Sequence, residues 1–218
     1  MPTSPQLSAE FRWFWKDDPP AGLYDWFCEG QGSICAAGGG GEIRQDVYLR
    51  DPRQPQLGIK RRGGKPGVEI KSLFAIWELP IGSIFAAPIQ LWVKQTSTAL
   101  ELPEGATIRT SKTRRLRTFD LTGGAPQEIP LGPAESPLNP SQAPPARGCN
   151  VELTKVVVEG QTWWTLGFES FQASDGLNTI EHDTWRTAEE MASRNPPPLG
   201  TPLLASYPEW LCLFVQGD

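Results

Sequence analysis

At 218 residues, with 39% hydrophobic and 21% charged residues, the chain has the composition of a globular protein and can bury a substantial core. A formal net charge of −5 argues against a general nucleic-acid binder, and no apolar stretch approaches the ~18 residues that a membrane-spanning helix needs. One histidine, His182, and four cysteines without CxxC spacing argue against a zinc site.

Twenty-two Pro and 22 Gly direct much of the chain into turns and loops, and nine Trp suit the walls and mouth of a barrel. The first residues, MPTSPQLSAEF, lack a basic segment followed by an apolar run, so no signal peptide is read. The expectation is a cytoplasmic protein with reduced thiols, although Cys28 and Cys35 lie close enough in sequence to pair. Charge is unevenly spread. Lys60, Arg61, Arg62 and Lys65 form one basic cluster, and Arg109, Lys112, Arg114, Arg115 and Arg117 form another. Two basic clusters in an acidic chain point to a small anionic ligand rather than a polymer.

In chain order, residues 10–15 (EFRWFW) alternate as a strand, with Glu10, Arg12 and Phe14 on one face and Phe11, Trp13 and Trp15 on the other. A turn-rich stretch and the Gly38–Gly41 run follow, and then residues 43–50 (IRQDVYLR) read as a second strand. GIKRR and VEIKSL flank GGKPG, a hairpin signal that sets Lys60 with Arg62 on one face and Glu69 with Lys71 on another. RRGGKPG is not a phosphate-binding P-loop, because the GxxxxGK[ST] spacing is missing.

Residues 74–100 fit either a short helix or a strand, and residues 106–121 read as extended. Residues 125–148 are dense in Pro and lack periodicity, the mark of a surface excursion between strands. Residues 149–171 form the strongest hairpin, with Gly160-Gln161 as its turn. That register sets Val158 opposite Trp163 and Glu152 opposite Glu169, with Val151, Leu153, Trp164, Leu166 and Phe168 on the other face. Residues 184–191 favour a helix stopped by Pro196–Pro198, the tail SYPEWLCLFV docks on the body, and His182 reads as a solvated loop residue.

The polar faces thus repeat one theme, basic beside acidic: Glu10 and Arg12; Lys60 and Arg62; Glu69 and Lys71; Arg115 and Arg117, or Arg114 in the other register; Glu152 and Glu169. In an open sheet such a face simply meets water. In a closed barrel, Arg and Lys would grip phosphate oxygens while carboxylates held Mg²⁺ or Mn²⁺ against them.

The pieces AEFRWF, DVYLRD with LGIKRRGGKPGVEIKSL, SKTRRLRTFDL, and VELTKV with WWTLGFES resemble the CYTH, or triphosphate tunnel metalloenzyme, superfamily. The resemblance covers most of the chain outside residues 74–105 and 125–148. It implies a mainly β (α+β) fold: a single domain over residues 1–218 forming an antiparallel eight-stranded β-barrel tunnel with a few peripheral helices. It also implies binding of a triphosphate- or polyphosphate-type anion, with divalent-metal-dependent phosphohydrolysis as its enzymatic extension.

Residue by residue, the resemblance makes Glu10 and Glu69 catalytic. Arg12, Lys60, Arg62, Lys71, Arg115 and Arg117 would bind phosphate, and Glu10, Glu152 and Glu169 would hold Mg²⁺ or Mn²⁺. The departures fall on the acidic side. Ser8 stands at the first Glu of the family's ExExK signature, with Arg12 at its Lys, and Gly167 stands two residues before Glu169. Losing one or two carboxylates can remove metal binding near neutral pH.

Two alternatives stay open. One is a catalytically inactive barrel that binds an anion or a protein, with the Pro-rich excursion as the docking surface. The other is a lipocalin-like barrel with an apolar ligand, supported by the Trp and Phe content.

Overall fold

The computed structural model describes residues 5–29, 42–51, 53–78, 84–132, 135–172 and 180–217; the Gly38–Gly41 run and Cys35 lie outside them. Alternating polar and apolar side chains build long antiparallel strands: β1 (Gln6–Lys16), β2 (Glu42–Leu49), β3 (Leu57–Arg62), β4 (Val68–Trp77), β5 (Ile89–Ser97), β6 (Thr107–Asp120), β8 (Arg147–Val158) and β9 (Gln161–Gln172). Their order is β1-β5-β4-β3-β2-β6-β8-β9, and β9 pairs back onto β1, closing an eight-stranded barrel. Closure leaves no free edge among these eight. Two short strands extend it. β7 (Gln127–Ile129) pairs with β6, and β10 (Leu203–Leu204) pairs with β1.

The ambiguous stretch 74–100 resolves into the end of β4 and all of β5, paired from Val68↔Ser97 to Trp77↔Ile89 with an irregularity between Leu73 and Ala75. The β8–β9 hairpin turns at Glu159-Gly160, not Gly160-Gln161, with φ of 46° and 80°. A two-residue turn of this hand needs positive φ at both central positions, which puts glycine at the second. The register therefore slips by two residues, so Glu152 faces Gly167 and Glu169 faces Asn150. A slip of two leaves every side chain on its predicted face.

The outer face of β1, β8 and β9 is apolar and covered. Phe11, Trp13, Trp15, Val151, Leu153, Leu166 and Phe168 pack there in one cluster. Helix α1 (Leu23–Cys28) adds Leu23 and Phe27, and helix α2 (Ile180–Ala192) adds Ile180, Ala188 and Met191. Each fully buried Phe or Leu in such a layer stabilises by roughly 1.5–3 kcal/mol. α2 begins earlier than the sequence suggests and carries His182 as an exposed helical residue. Its buried Asp183 accepts from Arg147 of β8 at 2.6 and 2.5 Å, pinning the helix to the barrel.

Helix α3 (Tyr207–Gln216) is the docked tail. Ser206 caps it reciprocally with Glu209, and Pro208 sits in the first turn, where a missing N–H costs nothing. Trp210, Leu211 and Phe214 pack against Phe14, Tyr48, Ile108, Val156 and Val158, the inward-facing residues at one end of the strands. Trp210 stacks on Phe14 with ring centroids 4.9 Å apart. The helix therefore stoppers one end of the barrel, and the tunnel is a cup.

Cys28 is disulfide-bonded, which corrects the expectation of uniformly reduced thiols, whereas Cys149 and Cys212 are free and buried. No helix among the described residues is long and apolar enough to cross a membrane.

Candidate functional site

The barrel encloses a cavity of about 450 Å³ that opens opposite α3 and is lined by eight basic and four acidic side chains. Of the residues singled out in the sequence, Glu10, Arg12, Lys60, Arg62, Glu69, Lys71, Glu152 and Glu169 all line it. Strand alternation is the reason. Each occupies the inward parity of its strand, and the cross-barrel pairings bring Glu10 beside Glu169 and Lys60 beside Glu69.

Arg115 and Arg117 do not join them. On β6 the inward parity belongs to Thr110, Lys112 and Arg114, so the odd positions face out beneath α1. Arg115 donates to the Tyr24 hydroxyl at 3.1 Å, and Arg117 donates to the Phe27 carbonyl at 2.9 Å and to Glu128 at 2.6 Å. Arg117 is thus a buried brace between the barrel wall, α1 and β7, and Arg114 takes the lumen place.

Several residues in the lining or directly behind it escaped the sequence reading. Asp46 of β2 is fully buried and forms ion pairs with Lys112 at 3.2 Å, Lys60 at 3.7 Å and Arg44 at 3.2 Å. Tyr48 accepts from Lys112 at 2.6 Å, and Tyr207 of α3 forms the floor, with the Lys112 ammonium 3.6 Å and the Arg12 guanidinium 4.8 Å from its ring. Lys94 of β5 stands level with Lys71 and Gln6 on the mouth side. The only prior signal for Asp46 was one acid in an alternating strand, and for Tyr207 a place in an apolar tail.

Three of the four lining glutamates are already matched to cations. Glu10 accepts from Lys71 at 2.5 Å, and Glu69 pairs with Lys60 at 3.1 Å. Glu152 bridges Arg12 at 3.0 Å and Arg114 at 2.7 Å. The Pro-rich excursion is more than a surface loop. Its Glu135 also grips Arg114, and Pro145 and Ala146 line the cavity.

Burial opposes each of these charges, but the neighbouring opposite charges prevail. Lys112, Lys60 and Arg44 hold the Asp46 carboxyl down at about 2, and Lys60, Lys94 and Arg62 hold Glu69 at about 2. Arg114, Arg12 and Arg44 push Glu152 well below the usual carboxylate range, and Lys71 and Lys94 lower Glu169. Burial pushes the Lys112 ammonium well down, with Lys60, Arg44 and Arg12 adding to it and Asp46 opposing.

This donor set does not fit a resident Mg²⁺ or Mn²⁺. Such ions need several oxygen ligands at once, whereas three of the lumen glutamates are engaged by Lys or Arg side chains, and the positions of Ser8 and Gly167 offer no carboxylate. No group of three or more His, Cys, Asp or Glu side chains arranged to hold a metal occurs among the described residues.

No protein-family model and no curated protein matches the chain. Among solved structures, the PH1819 protein of Pyrococcus horikoshii OT3 is similar at a TM-score of 0.39 and 11% identity, covering 97% of this chain and 99% of that one. The chemistry of the cavity is therefore read from its own side chains.

Proposed function

We propose that this chain is a CYTH-like tunnel protein that binds a triphosphate- or polyphosphate-type anion in its cup. The observation that carries this reading is the excess of cations over carboxylates in a closed-bottomed cavity of about 450 Å³. Arg and Lys in a partly desolvated pocket attract phosphate oxygens far more strongly than they do in water. The cavity has room for a chain of a few phosphates, and its walls offer donors on every side except that of α3. Glu10, Glu69 and Glu152 then set the spacing of the cations rather than repel the ligand outright, because their charges are already offset by ion pairs.

Metal-dependent hydrolysis, the enzymatic extension of the family resemblance, draws no support from this donor set. Polar lining likewise favours an anion over the apolar ligand of a lipocalin-like barrel.

Thermal unfolding with added tripolyphosphate tests the reading, with phosphate release followed alongside. Ligand at about 100 times its Kd should stabilise the fold by about 2.7 kcal/mol, which raises Tm by roughly 5–10 °C for a chain of this length. No shift at millimolar tripolyphosphate would refute anion binding, and phosphate release would restore the hydrolytic reading.

A further inference from the structure

Three carboxylates crowd one side of the cup. Glu10 and Glu169 are direct cross-strand partners, and Glu152 lies one strand further, opposite Gly167. At such spacing, in an interior of low effective dielectric, they repel one another unless a cation lies among them. A divalent ion is one solution, and this chain supplies another.

Arg12 stands opposite Gly167 across the β1–β9 ladder, and its side chain is only 4% exposed. A Cβ at position 167 would lie 2.4 Å from the Arg12 Cζ, closer than real Cβ contacts come. Glycine is therefore what lets the guanidinium lie against the sheet. From there it donates to Glu152 at 3.0 Å and to Thr165 at 3.3 Å, and its charge is sustained by Glu10 and Glu169 as well. Lys71, two strands away on β4, takes Glu10.

With Glu10, Glu69 and Glu152 each in an ion pair, the lumen still holds cations that reach the acids only at longer range. Arg62 and Lys94 line the cavity and make no ion pair among the described residues. Buried polar atoms there also lack a hydrogen-bond partner: the Oγ of Ser8, a residue 3% exposed, the Arg62 Nε, and the Arg44 Nε, which lies 3.2 Å from an Asp46 oxygen and so has an ion-pair partner. Unmet buried donors and acceptors are costly unless something else meets them. The Ser8 and Arg62 atoms sit on β1 and β3, and Lys94 adds a cation from β5.

We propose that Arg12, seated by Gly167, is the built-in counter-ion of the glutamate cluster in place of a divalent ion. The tunnel then takes its anion metal-free and grips it directly with Arg62 and Lys94. The inference rests on the anion-binding reading above and specifies how the anion is held. It also explains why Ser8 and Gly167 need no carboxylate. A further acid beside Arg12 would add a negative charge that the guanidinium cannot also offset, and at position 167 it would evict the guanidinium.

Calorimetric titration of the full chain with tripolyphosphate, in EDTA and again in excess Mg²⁺ or Mn²⁺, tests the proposal. Binding in EDTA should be as tight as with metal, within about twofold, or tighter, because metal complexation in solution competes for the free anion. Arg62→Ala and Lys94→Ala should each weaken binding roughly tenfold, the size of a lost charge-assisted contact. Binding that appears only with Mg²⁺ or Mn²⁺ overturns the inference and leaves the anion reading intact. Binding in neither condition overturns both. If both of these variants bind like the parent chain, the assigned grip is overturned.

Manganese alone, followed by electron paramagnetic resonance, should remain free in the presence of the parent chain; one tightly bound ion per chain is the contrary result. Arg12→Gln uncovers the glutamates and should acquire a manganese site. A folded Arg12→Gln that leaves manganese free removes Arg12 from the counter-ion role. Should that variant not fold, the parent-chain titrations decide alone.

Discussion

Two sets of lumen cations use the same chemistry for different ends. At the floor, Asp46 is ringed by Lys112, Lys60 and Arg44, and Tyr48 and Tyr207 cover the Lys112 ammonium. Arg62, the cross-strand neighbour of Asp46, and Lys94, level with Gln6 nearer the mouth, line the same cavity without an ion pair among the described residues. A cation whose partner is fixed beside it adds to the fold and has little left for a ligand. A cation with no carboxylate within ion-pair distance keeps more of its charge for a ligand. Total lumen charge is therefore a poor guide to binding, and the unmatched fraction is the better one.

Breaking the floor should have the largest effect. Asp46→Ala leaves Lys112, Arg44 and Lys60 facing one another in a buried space, and removing one partner from such a cluster costs roughly 3–5 kcal/mol. Urea unfolding would read this as a lower midpoint with an unchanged slope. A loss below about 1 kcal/mol would mean that the cluster is not the keystone drawn above.

Gly167→Ala comes next. Its methyl group meets the Arg12 guanidinium, so Arg12 must leave its seat or β1 must move, an overpacking cost of roughly 1–3 kcal/mol. The same unfolding experiment on Gly167→Ala/Arg12→Ala should recover part of that cost, because the clash has no second partner.

Acid sharpens the comparison without mutation. Asp46 and Glu69 ionise near 2 in the folded chain, against ordinary values of 3.8 and 4.5. Their depressed values contribute stability that is complete above about pH 4.5 and is lost as pH falls towards 2. The loss is roughly 2–3 kcal/mol for either group, and less than additive because both lean on Lys60. Unfolding free energy measured between pH 5 and pH 2 should fall accordingly, and the fall should shrink in Asp46→Ala.

The smallest effects belong to Arg62 and Lys94. Arg62→Ala and Lys94→Ala should lower unfolding free energy by no more than about 1 kcal/mol, since no ion pair is broken and only longer-range attraction to Glu69 and Glu169 is lost. A large loss in either variant would place those cations in the fold rather than in reserve.

Much of the barrel was legible because a period of two is hard to disguise. Glu10 with Arg12, Lys60 with Arg62, and Glu69 with Lys71 each reach the lumen as alternation requires. Even the hairpin read with the wrong turn kept Glu152 and Glu169 inside, since its slip was two residues. Strand β6 defeated the same method. Arg109, Arg115 and Arg117 share one parity and Lys112 and Arg114 the other, so both faces carry basic residues and charge alone cannot choose between them. The choice is made by Phe119, which shares the parity of Arg115 and Arg117 and packs with Phe27 in the outer cluster.

The sequence by itself determined which residues alternate, where the hairpins fold back, and that basic and acidic side chains share a face. These are local matters, set by side-chain periodicity and turn chemistry between neighbours in the chain. Tertiary structure alone decided that β1 closes onto β9, that α3 stoppers one end, and that Arg12 rests against Gly167, 155 positions further along the chain. It also decided which cations are matched and which are spare. A salt bridge forms between residues brought together by the register of distant strands, and no local rule carries that register.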